Sequence, residues 1–114
     1  MRKVLLVLSR NDIAPRFDLS LELLIVSLGN DGKPAERRDI VLARPSAEAL
    51  CRAVTSANVQ TVICGGMEKE YLQYLGWKNV EVTHSVIGSA EVANSRYRKG
   101  ALKSGDLLSE RRKA

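Results

Sequence analysis

Apolar residues fall into stretches of two lengths along this chain, short runs and longer stripes, with turn-forming clusters between them. Lys3 to Leu8 (KVLLVL) is a near-continuous apolar run of strand length, the pattern of a strand covered on both faces, and it predicts the central strand of a sheet. LELLIVSL (21–28) and RRDIVLA (37–43) flank GNDGKPAE, whose glycines, Asn30, Asp31 and Pro34 supply turn chemistry, so the pair reads as a hairpin. Pro45 and Ser46 then open a helix, because Ala47, Leu50, Cys51 and Val54 recur at i, i+3, i+4 and i+7 as one buried stripe. VQTVIC (59–64) is a second buried strand. MEKEYLQYLGW (67–77) predicts a short helix with Met67, Tyr71, Tyr74 and Leu75 on one face, Glu68 and Glu70 at the positive end of its dipole, Gly76 as its stop and Trp77 folding back over the end. NVEVT (79–83) makes the last strand. The final helix starts between Ser85 and Ser89 and runs to Gly100, with Ala90, Ala93, Tyr97 and Ala101 inward.

The resulting order, β β β α β α β α, is that of an α/β domain. Short connections make the first three strands a meander, and right-handed helical crossovers carry the later strands to the other side of the first. The expected sheet has five strands in the order 3-2-1-4-5, mixed in sense with only the second strand antiparallel, and helices on both faces: a ribonuclease H-like architecture. Its order reverses between strands one and four, so a ligand is expected in the crevice at their carboxyl ends. Ser9, Arg10 and Asn11 line that crevice on one side and Cys64, Gly65 and Gly66 on the other.

The length of 114 residues suits one domain. No uninterrupted apolar stretch has the length of a membrane span and MRKVLLVLSRND lacks a cleavage site, so a cytoplasmic protein without a membrane partner is expected. Cys51 and Cys64 form neither a C-x-x-C pair nor a zinc framework. The net charge of +5 sits wholly in residues 96–114, which hold seven basic and two acidic residues. With five aromatics and no basic-aromatic interleaving, that segment reads as a solvated helix end and a frayed tail rather than a nucleic-acid arm. Residues 1–103 are therefore expected to form the domain and 104–114 a mobile basic tail.

The stretch TVICGGM (61–67) carries the most chemistry. Two glycines permit positive φ or a close approach, and a helix N-terminus favours a thiolate, the usual iron-sulfur donor, which makes Cys64 a candidate ligand. A small residue ending a buried strand accounts for the same cysteine. His84, the one histidine, follows the last strand and lies on the same sheet edge as Cys64.

Three stretches resemble one family. IAPRF (13–17) is similar to an A-P-H-F-G loop, TVICGGM to a V-I-C-G-G-I turn, and GSAEVANSRYRKGAL (88–102) to a closing G-T-V-E-E-A-L…Y…G-x-L helix, all in order over nearly the whole chain. These are motifs of the dinitrogenase iron-molybdenum cofactor biosynthesis family, comprising NifX and NafY type proteins and the C-terminal domain of NifB. The resemblance implies the ribonuclease H-like fold, a place in nitrogen fixation, and non-catalytic, transient binding or delivery of an iron-sulfur or iron-molybdenum cluster precursor, with a cluster donor or acceptor protein as partner. Its expected contacts are Arg10, Asn11, Arg16, Cys64, Gly65 and Gly66, with Cys64 and His84 as metal ligands. The family's loop histidine is Arg16 in this chain and its following glycine is Asp18. An arginine pairs with anions through charge-assisted hydrogen bonds but does not coordinate iron.

Enzymatic readings lack their residues. A nuclease of this fold needs convergent carboxylates with one on the central strand, and KVLLVL has none. The competing class is an interaction module without a cluster, using Arg10, Arg16 and the basic tail to hold an acidic partner.

Overall fold

A computed structural model describes Arg2 to Leu108. β1 (Arg2–Ser9) is flanked by β3 (Glu22–Leu28) on one side and β5 (Thr61–Ile63) on the other, with β4 (Pro34–Val41) and β6 (Glu81–Thr83) at the edges. The sheet runs β4-β3-β1-β5-β6, antiparallel at β1–β3 and β3–β4, parallel at β1–β5 and β5–β6. The loop after β1 contains a further two-residue strand, β2 (Asp12–Ile13), which folds back onto the end of β1 through Leu8 opposite Ile13 and Ser9 opposite Asp12. Arg10 makes this reversal at φ 59°.

Alternation along the strands divides the core between two faces. Leu5, Val7, Leu23, Ile25 and Val62 meet Leu50, Cys51 and Val54 of α1 (Ala47–Ser56) and Leu75 of α2 (Lys69–Trp77). Val4, Leu6, Leu24, Val26 and Ile63 face the other way, against Ala93 of α3 (Ala90–Arg98) and Val86. Each fully buried Leu or Val contributes about 1.5–3 kcal/mol. Cys51 is buried on the α1 stripe, and Ser46 caps that helix by accepting from the Ala49 N–H at 3.1 Å.

The three described α-helices end in the same way, which at α2 differs from the expected stop at Gly76. Asn79 (φ 62°) donates to Gly76 O at 3.0 Å and Val80 donates to Leu75 O at 2.9 Å, the paired bonds of a Schellman motif. Asn58 and Val59 repeat this after α1, and Gly100 and Ala101 after α3. Buried Val80 is thus the residue that folds back over buried Leu75, whereas Gly76 lies inside the helix and Trp77 is 80% exposed. Asparagine tolerates the left-handed turn well enough to substitute for glycine there.

The domain boundary expected after residue 103 also moves. Gly105 N–H donates to His84 O (2.9 Å), Ile87 N–H to Asp106 O (3.0 Å) and Leu108 N–H to Ile87 O (2.7 Å), and Leu108 is buried against the α3 face. Residues 104–108 belong to the fold because an apolar residue and three backbone bonds offset their ordering entropy. Residues 109–114 of the expected tail lie outside the described residues. No described helix is long and apolar enough to cross a membrane.

Candidate functional site at the carboxyl edge of β1 and β5

β5 ends at Cys64, and the following glycines meet the loop that follows β2. Gly66 N–H donates to Pro15 O at 2.7 Å and Phe17 N–H to Gly66 O at 2.8 Å, so the two loops form a short parallel ladder with Arg16 opposite Gly66. Ala14 N–H secures the loop to Val7 O at 2.8 Å. Phe17 anchors it: the ring is fully buried, with Tyr71 of α2 at a centroid distance of 6.1 Å. The two stretches singled out in the sequence, IAPRF and TVICGGM, are therefore one structural unit.

This contact explains the glycines. Neither Gly65 nor Gly66 has positive φ. A Cβ on Gly65 would stand 2.2 Å from Ala14 O and 2.5 Å from Pro15 O, while one on Gly66 would meet Pro15 O at 3.4 Å. Gly65 is required by the approach of another backbone.

Cys64 turns inward. Its N–H donates to Thr83 O (3.0 Å) and its C=O accepts from the Val86 N–H (3.1 Å), which leaves the side chain in the α1 and α2 core beside Ala14 and Phe17, fully buried. Desolvation pushes its thiol up to about 12, so the group is neutral and inert at physiological pH. A thiolate favoured by the α2 N-terminus would have to form against this desolvation.

Arg16 lies on the outside. Its guanidinium binds Asp18 through both branches, Nε to Oδ1 at 3.1 Å and a terminal nitrogen to Oδ2 at 2.8 Å. Its side chain is 57% exposed. The two positions that depart from the family pattern thus contact each other, a relation that sequence reasoning missed although the spacing of two residues was in view. His84 is half-buried; its Nδ1 lies 3.0 Å from Ser85 Oγ, and its backbone is held by Ser104 and Gly105. Ser85 N–H donates to Gly65 O at 2.8 Å, so Arg16, Gly66, Gly65 and the His84–Ser85 pair follow one another along a single edge.

Arg10 and Asn11 stand apart from this group. Arg10 N–H donates to Glu22 Oε1 at 3.1 Å, and Asn11 O accepts from the Ala90 N–H at the start of α3. Among the described residues no group of three or more His, Cys, Asp and Glu side chains converges as a metal site. Surface hollows of about 240 and 340 Å³ open at the other end of β1, beside Lys3 and Arg38 and beside Arg2 and Arg98. Along this edge Arg16, Gly66 and Ser85 are exposed, His84 is half-buried, and Gly65 and Cys64 are buried.

No family model and no curated protein matches this chain. Solved structures do share its fold. The crystal structure of PH0822 superposes with a TM-score of 0.80 over 90% of this chain and 93% of that one, at 13% identity. A protein from Methanocaldococcus jannaschii (MJ0327), provisionally described as a dinitrogenase, gives 0.73 over 89% of this chain and 91% of its own at 20% identity. A Thermotoga protein (TM1290), provisionally described as a NifB protein, gives 0.70 over 96% of this chain and 99% of its own at 15% identity.

Proposed function

We propose that this chain is a non-catalytic, cytoplasmic NifX-like binding protein that handles an anionic metallocluster precursor in nitrogenase-type cofactor biosynthesis. One observation carries the reading: the family-like IAPRF loop is hydrogen-bonded to the TVICGGM turn, in a mixed α/β domain whose fold is shared along its length with proteins provisionally described as dinitrogenase and NifB. A cluster is cargo here, to be received from a donor and passed to an acceptor protein. Cys64 does not fit as a ready ligand, since its side chain is fully buried and desolvation raises its pKa. The geometry instead favours surface capture, with the half-buried His84 imidazole as a nitrogen donor and Arg16, released from Asp18, as counter-charge.

Anaerobic incubation of the apo protein with iron, sulfide and a thiol-ligated cluster tests this. Wild type is expected to gain broad visible absorbance that is lost in air; His84→Ala and Arg16→Ala reduce uptake, and Cys64→Ala retains it. A wild type that stays colourless sinks the reading. The alternative, an interaction module without a cluster that uses Arg10, Arg16 and the basic tail to hold an acidic partner, would load no cluster under any of these conditions.

A further inference from the structure

β4 closes one side of the sheet, and among the described residues nothing pairs with its outer edge. Leu42 N–H donates to Leu21 O at 2.8 Å, and the register continues with Ile40 opposite Leu23 and Arg38 opposite Ile25. Bonded pairs alternate in an antiparallel ladder, so Ile40 and Arg38 direct their backbone groups to β3 while those of Arg37, Asp39 and Val41 point outward. The strand is eight residues long and exposed throughout except at Ile40, and Val41 retains 76% of its surface. An open edge of this length is a template for another strand, which proteins commonly blunt with charge.

Glu36, Arg37, Arg38 and Asp39 supply charge, and none of them joins an ion pair among the described residues. Their order does not repel a second copy in every alignment. An antiparallel pairing centred on Arg37 sets that residue against itself and Asp39 against Ala35, although Glu36 then faces Arg38 twice; one centred on Asp39 sets the carboxylate against itself and Arg37 against Val41. Centring on Arg38 sets Arg37 of each copy opposite Asp39 of the other. The same alignment brings Val41 against Ala35 at both ends. On the opposite face Arg38 meets its own symmetry mate, offset by Glu36 of the other copy on the diagonal.

We propose that the outer edge of β4 is a homodimer surface, taking a second copy of this chain antiparallel in the one register that pairs Arg37 with Asp39. The two sheets then continue as one across the axis. Outward N–H and C=O groups of Arg37 and Asp39 exchange ladder bonds with their opposites, and the twofold makes every favourable contact occur twice. The surface is the outer strand of the sheet, with β3 and β1 between it and β5, whose end carries the contact with Arg16.

Sedimentation velocity of the full chain from micromolar to millimolar concentration, with circular dichroism as a check on folding, tests the proposal. Wild type is expected to show a concentration-dependent dimer. Asp39→Arg and Arg37→Asp each place like charges together at both contacts and weaken the dimer by more than about tenfold. The double variant Arg37→Asp/Asp39→Arg restores it, because both pairs return with their signs exchanged. A wild type that remains monomeric at millimolar concentration overturns the proposal, as does a folded single variant that dimerises like wild type or a folded double variant that stays dissociated.

Discussion

Gly65→Ala isolates the contact on which the candidate site is built. The added methyl would lie 2.2 Å from Ala14 O, 2.5 Å from Pro15 O and 2.7 Å from Pro15 C, all backbone atoms with no rotamer to yield. Relief requires the loop to withdraw by about 1 Å, a displacement that breaks the Gly66 N–H bond to Pro15 O and the Phe17 N–H bond to Gly66 O and disturbs the burial of Phe17. Two backbone bonds are worth about 0.5–1.5 kcal/mol each, and overpacking adds about 1–3 kcal/mol. A loss of about 2–6 kcal/mol follows, or roughly 8–24 °C in melting temperature for a domain of this size. Two other glycines serve as controls. Gly66→Ala, with Pro15 O at 3.4 Å, should stay within about 0.5 kcal/mol of wild type. Gly76→Ala meets nothing within 4 Å inside α2 and should stabilise by about 0.5–1 kcal/mol. Urea and thermal melts followed by circular dichroism measure all three. If Gly65→Ala melts with Gly66→Ala, the close approach of the two loops does not constrain this position and the account of the CGG turn is wrong.

Two further predictions concern the buried thiol and the end of the fold. The raised folded-state pKa of Cys64 stabilises the protein fully below pH 9, and this contribution falls as pH rises towards 12, by up to roughly 1.4 kcal/mol per pH unit; Cys64→Ala should flatten that part of an alkaline denaturation profile, and an unchanged slope would place the effect elsewhere. Leu108→Ala should cost about 2–4 kcal/mol in a urea melt because the side chain is buried, while Leu107→Ala, at a site 72% exposed, should change stability by under about 0.5 kcal/mol; equal effects would mean that residues 104–108 do not pack as described.

Much of the framework is local and was legible in the chain. A buried central strand betrays itself by a continuous apolar run, a one-sided helix by spacing of three and four, and a hairpin by its turn residues; KVLLVL, the Leu50–Cys51–Val54 stripe and GNDGKPAE each form what their pattern implies. The helix ends were written there too, in the Asn-Val pairs at 58–59 and 79–80, although Gly76 and Trp77 offered a more conspicuous and mistaken stop. What the tertiary structure alone decided concerns residues distant in sequence. Nothing near Cys64 in sequence foretells that it will share a core with Ala14 and Phe17, and an N-terminal position that would favour a thiolate in water is overridden by desolvation once the site is buried. Polar residues 104–106 look like tail until Leu108 finds a place beside Val86 and Ala93. A sequence states each residue's local preference, whereas burial, which sets the pKa of a thiol and the cost of a methyl group, is a property of the neighbours that folding brings in from elsewhere.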